Sequence, residues 1–231
     1  MLEAELLRKG FGRISVKKLI PAVLLAFVCI GTSNISLAQA TADNTMSSMK
    51  SSNSQSDLRI NMRKLWEDHI TYTRNYIISA LADLGDADAV AKRLLKNQDD
   101  IGNAIIPYYG NDAGNKLALL LKDHILIAVD LIKAAKANMK DDLSKAQAKW
   151  KKNADDIAAF LSTANPNWSK SDVTDILYKH LDLTTGEVVS RLKKDWDGDI
   201  DSYDKGHTHM LLFSDTLTNG IAKQFPDKFT N

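Results

Sequence analysis

Cysteine occurs once in 231 residues, at Cys29, proline four times and glycine eleven times. One cysteine excludes an internal disulfide framework, and few prolines and glycines leave few enforced breaks, which favours long helices. Charge of either sign is also not in excess: 30 Lys and Arg against 29 Asp and Glu leave a formal net charge of +1. With no basic stripe and no interleaved aromatics, the electrostatic footprint of a nucleic-acid binder is missing. There is no glycine-rich phosphate loop and no G-x-S-x-G nucleophile elbow. No segment alternates as a half-buried strand should. What is present is 44% apolar residues, enough for one core, in a length that suits one domain with a tail.

The first forty residues read as a targeting segment. Arg8, Lys9, Arg13, Lys17 and Lys18 form a basic leader, followed by the apolar run LIPAVLLAFVCIG, Leu19 to Gly31. Thirteen residues fall short of the roughly 20 that a membrane-spanning helix needs. The small residues Ala38-Gln39-Ala40 then supply an A-x-A cleavage site. The expectation is a signal peptide over 1–40 and a periplasmic or secreted protein; an uncleaved N-terminal anchor is the alternative. Cys29 lies inside the apolar run, and Val28 before it does not suit a lipoprotein cleavage box. Cleavage would leave a mature chain with no thiol, suited to an oxidising compartment. TADNTMSSMKSSNSQSD, residues 41–57, has little to bury and reads as a flexible linker.

From Leu58 onward the apolar period is helical, and 58–231 reads as the helical bundle domain. Expected helices cover about 58–84, 87–96, 112–138, 142–163, 169–196 and 200–224. NQDDIGNAIIPYYGNDAGN, with Pro107 and Gly110 as breakers, reads as a loop-rich connection. Asn165-Pro166 stops one helix, and Ser169 or Ser171 caps the next. The fold class is all-α, an antiparallel bundle of four to five long helices.

Successive helical residues turn by about 100°, which assigns each polar residue to a face. His124 sits at the centre of the apolar stripe of LALLLKDHILIAVDLIKAA. His69, His180 and His207 lie on the stripes of their own helices, and Asn153 does so on a helix without histidine. His209 points about 160° from His207, towards solvent. His69, His124, Asn153, His180 and His207 fall within about 6 Å of one height. That predicts one buried polar layer, with Glu187 as a further member and Thr73, Tyr203 and Asp204 at its margins.

Four readings of this layer remain open. It is a satisfied hydrogen-bond layer that fixes helix register, a metal site, a pocket for a small organic ligand, or a catalytic site. Imidazoles with one carboxylate suit zinc, copper or nickel better than calcium or magnesium, although the paired Glu-x-x-His motifs of di-iron bundles are missing. The bland alternative for Glu187 is a surface pair with Arg191 four residues on. For Asp204 it is a solvated acidic face with Asp197 and Asp201, and PYYG reads as a turn with packed rings.

At LWEDHITYTRNYIIS, RLLKNQDDIGNAIIPYYG, KNADDIAAFLSTANPNWSK and LYKHLDLTTGEVVSRL the chain resembles a family of small bacterial helical proteins of unknown function, over about Leu65 to Phe225. Members sometimes carry a transferred acetylglutamate kinase label, a cytosolic nucleotide-binding α/β activity that does not suit an exported all-helical chain. His69, His124, Asn153, His180, Glu187 and Asp204 match the pattern that the resemblance implies. His207 departs from it, since relatives resemble glutamine there, so His207 is not implied as an obligatory ligand.

Overall fold

The computed structural model describes residues 54–229. The basic leader, the apolar run, the A-x-A site and most of the expected linker lie outside them. Five α-helices follow in order: α1 (Ser54–Leu81), α2 (Ala87–Lys136), α3 (Lys140–Ala164), α4 (Lys170–Leu192) and α5 (Trp196–Gln224), ending in a 3-10 turn (Pro226–Lys228). Among the described residues there is no strand, and no helix is long and apolar enough to cross a membrane. The last four residues of the expected linker, 54–57, already belong to α1.

The stretch expected to be a loop is helical. α2 runs on through Pro107 and breaks only at Gly110, whose φ of 82° and ψ of 171° reverse the chain in one residue. Proline forfeits one backbone hydrogen bond but not the helix around it, and the left-handed φ falls on the residue that bears it without steric cost. The two arms, 87–109 and 111–136, fold back on one another. A Cβ on Gly102 would stand 2.5 Å from the Gly114 carbonyl oxygen, so these glycines allow backbone to touch backbone.

Each helix packs on its chain neighbours, and α5 returns to α1 to close a ring. Lys136, at the end of α2, donates to the Ala80 carbonyl at 2.7 Å near the end of α1, so α1 and the second arm of α2 run the same way. α5 runs against α1, with Arg63 bidentate on Asp215 and Arg59 on Asn219. The core between them holds Met62, Ile77, Leu121, Ile157, Met210 and Phe213, all buried. Its lower end is closed by aromatic rings. Tyr108 stacks on Phe229, and Tyr109 meets Phe225 edge-on while its hydroxyl donates to Gln224 at 2.9 Å. PYYG is therefore a site of packed rings, as expected, but at the end of a helical arm.

Candidate functional site

His69 on α1, His124 on the second arm of α2 and His180 on α4 meet in the core, exposed by only 2–3%. Their ring centroids form a triangle with sides of 5.7, 5.7 and 6.5 Å. Three parallel helices bring them together at one height, so their i+4 residues Thr73, Ala128 and Thr184 make the next layer. Those residues line an apolar cavity of about 20 Å³. On the other side of the rings, Trp66, Leu121, Leu177 and Met210 line a void of about 10 Å³. The imidazoles thus separate two small spaces, each close to the roughly 10–15 Å³ that one water needs.

Asn153 on α3 reaches this layer, as the helical period implied. Its amide nitrogen donates to the Leu120 carbonyl at 3.0 Å, which turns its oxygen onto His124 Nδ1 at 2.9 Å. The proton of His124 therefore sits on Nδ1, and Nε2 keeps its lone pair. Fixing a tautomer through the far ring nitrogen is how partners of a metal-binding histidine raise its basicity.

The other two rings are not satisfied. His69 Nδ1 and His180 Nδ1 are buried without a hydrogen-bond partner, as are Trp66 Nε1, Trp150 Nε1 and Gln98 Oε1. All five atoms belong to the layer or its wall: Trp66 packs on His69 at 5.5 Å, Trp150 on His124 at 5.2 Å, and Gln98 beside His69. Gln98 Nε2 is committed to the Leu94 carbonyl at 2.7 Å, and its oxygen reaches His69 without hydrogen-bond geometry. An unmet buried polar group costs about 1–3 kcal/mol, and folded proteins leave few of them. Burial holds all three imidazoles neutral. His69 is lowered to about 3, with His124 adding to the effect and Gln98 opposing it. Burial lowers His124 to about 4 against the Asn153 hydrogen bond, and drives His180 well below its ordinary value, helped by both neighbouring rings.

Among the described residues no three histidine, cysteine or carboxylate groups stand at ligand distances from one point. Three imidazoles sharing an ion at about 2.0–2.1 Å would place their centroids about 5–5.5 Å apart. On that comparison the two 5.7 Å sides are wider by less than about 1 Å and the 6.5 Å side, between His69 and His124, by about 1–1.5 Å.

The expected single layer divides in two. Glu187 is buried but lies two turns beyond His180, out of reach of the trio, because seven residues advance a helix by about 10 Å. It accepts from Arg74 at 2.7 Å, and Arg74 also forks onto Asp199 at 3.0 and 3.1 Å. Arg191 pairs with Asp199 at 2.8 Å rather than with Glu187. The Arg74 guanidinium lies 4.6 Å over the Tyr203 ring. Burial pushes Glu187 up to about 7, with the adjacent Arg74 guanidinium working against it. Thr73 donates to the His69 carbonyl at 2.7 Å, and Asp204 is exposed.

Neither His207 nor His209 lies where it was expected, in the layer and in solvent respectively; both are partly buried at seams of α5. His207 is half-exposed at the α1 seam, 3.5 Å from Glu67. His209 is half-buried at the α4 seam, where its ring nitrogen donates to the Ile176 carbonyl at 2.8 Å. The inner stripe of α5 runs through Gly206, Met210, Phe213 and Leu217, about 90° from the face centred on His207. Because α5 lies between two neighbours, both of its flanks are covered. The residues that sequence reasoning missed are Arg74, which lies off the apolar stripe of α1, Asp199, which lies off the face centred on His207 and before the expected start of that helix, and Gln98, which fell in the supposed loop. Trp66 and Trp150, three residues before His69 and Asn153, carried a usable signal in that spacing.

No protein-family model, curated protein or solved structure matches this chain.

Proposed function

We propose that this chain is an exported helical-bundle binding protein whose three buried imidazoles take up a single transition-metal ion. The observation that carries this reading is the pair of unpartnered nitrogens, His69 Nδ1 and His180 Nδ1, in a layer bordered by other unmet polar atoms. The adjoining voids of about 10 and 20 Å³ admit an ion or a water and no metabolite. Neutral nitrogen donors suit zinc, copper or nickel, and Asn153 orients one of them. Export rests on the basic leader, apolar run and A-x-A site of the first forty residues.

A second reading, that the layer only sets helix register, is favoured by the width of the triangle, which leaves the nitrogens unconverged. Calorimetric titration and thermal melts with Zn(II), Cu(II), Ni(II) and Co(II) separate the two. Binding stabilises by RT ln(1 + [L]/Kd), about 2.7 kcal/mol at a hundredfold excess over Kd, and His180→Gln removes that gain. No shift with any of the four ions leaves the register reading standing.

A further inference from the structure

The side chain that is hydrogen-bonded to His124 also faces an open groove. Asn153 touches His124 Nδ1 at 2.9 Å on its inner side, and on its outer side it lines an open groove of about 320 Å³ between the second arm of α2 and α3. Asp123 and Asp130 stand on the α2 wall of that groove, and Lys149, Lys152 and Asp156 stand on the α3 wall. Asp123 and Asp130 are seven residues apart, which places them on one helix face. Among the described residues neither has an ion-pair partner, whereas Lys152 is tied to Asp156 at 2.7 Å. Three carboxylates against two ammonium groups make the groove attractive to cations, and the two carboxylates without an ion-pair partner stand on the wall opposite Asn153.

We infer that Asn153 is the gate of the imidazole site, and that a metal cation reaches the trio from this acid-flanked groove by displacing the Asn153 amide from His124. The inference rests on the metal-binding reading and adds the route. In the closed state Asn153 holds the His124 tautomer and seals the layer. Swinging out costs two hydrogen bonds, to His124 and to the Leu120 carbonyl. A cation held beside Asp123 and Asp130 then faces an imidazole whose Nδ1 proton must shift or whose ring must turn. Gating by this side chain therefore governs the rates of loading and release.

Stopped-flow loading of the full chain with Co(II), followed by its visible ligand-field absorption, tests the route. Asp123→Asn combined with Asp130→Asn removes surface charge only. It should slow association about threefold at low salt, and the difference should close in high salt, as for electrostatic steering. Release should be unchanged. Asn153→Ala should speed loading as well as release, because the gate is gone in both directions, with release faster by about tenfold or more, since a partner of a metal-bound histidine is also lost. Changing Asp172 and Asp175 to asparagine, away from the groove, should leave both rates alone. If Co(II) loads and both groove variants keep wild-type rates, the route is overturned and the binding reading stands. If the wild-type chain takes up no Co(II), both fall. Should Asn153→Ala fail to fold, the aspartate pair decides alone.

Discussion

A buried imidazole that resists its proton makes stability depend on pH, and the sign follows from the direction of the shift. For His69, His124 and His180 the folded value lies below the ordinary 6.5. The unfolded chain then takes up protons first, so the stabilisation is whole above about pH 6.5 and is lost as pH falls towards 4. Between pH 6.5 and 5 each ring gives up roughly 1–2 kcal/mol. Glu187 works the other way: raised from 4.5 to about 7, it favours the folded state as pH falls, by roughly 1–2 kcal/mol over the same interval. Three rings outweigh one carboxyl, and a net loss of about 3 kcal/mol is expected between pH 6.5 and 5. Urea midpoints across that range measure it, and a flat or rising midpoint contradicts the buried trio. His124→Leu probes the same layer differently. It strands Asn153 Oδ1, so if the layer only sets register, stability falls whether or not metal is present. If the trio binds metal, the diagnostic loss is of metal-dependent stabilisation, whatever happens to the apo protein.

At the scale of the helix, the three turns at one end of the bundle repeat one device. The chain leaves α1, α2 and α4 through left-handed residues, Asp83, Asn138 and Lys194, with φ of 54°, 54° and 61°. In each the following N–H bonds back to the carbonyl five residues earlier, from Leu84 to Ser79, Met139 to Ala134 and Asp195 to Ser190, all at 2.9 Å. This is the Schellman closure, which glycine suits best and asparagine or aspartate tolerates. Lysine has no such tolerance, so Lys194→Gly should stabilise by about 0.5–1 kcal/mol, read as a higher denaturation midpoint. Gly102→Ala should destabilise by about 1–3 kcal/mol, because its Cβ would press on the Gly114 carbonyl and on Ala118. Those glycines also show where the sequence stopped being legible. In NQDDIGNAIIPYYGNDAGN, Gly102 and Gly114 look like breakers, yet they are contact points whose purpose exists only once the arms touch. Only Gly110 turns the chain. His69, His124, Asn153 and His180 were legible because each lies on a straight helix with one inward face. His207 and His209 were not, because the inward face of α5 is set by which helices flank it, and period alone does not specify neighbours.

Across the whole molecule, the ring of helices is fastened by different chemistry at its two ends. At the lower end packed aromatic rings join the α2 hairpin to the tail of α5. At the upper end the buried charges of Arg74, Glu187, Asp199 and Arg191 tie α1 to α4 and α5. Two guanidinium groups and two carboxylates neutralise one another, and α1 contributes only Arg74. Its loss would leave Arg191 to answer Asp199, which is 2% exposed, with Glu187 unpaired beside it. Breaking a buried pair by removing one partner costs about 3–5 kcal/mol, more than the intact pair contributes over an apolar replacement. Arg74→Ala should therefore destabilise by about that much at pH 8. The penalty should shrink at pH 5.5, because Glu187 already sits near 7 with Arg74 beside it and is held down by that guanidinium. Without Arg74 it takes a proton more readily and ceases to be a stranded charge. Glu187→Gln supplies the control: on that background Arg74→Ala should cost less at pH 8, and its pH dependence should largely disappear. Chemical denaturation of the four proteins at both pH values measures the cycle. If Arg74→Ala costs the same at pH 8 and 5.5 with Glu187 intact, Glu187 is not the charge that Arg74 holds, and Asp199 alone carries the fastening of α1 to the ring.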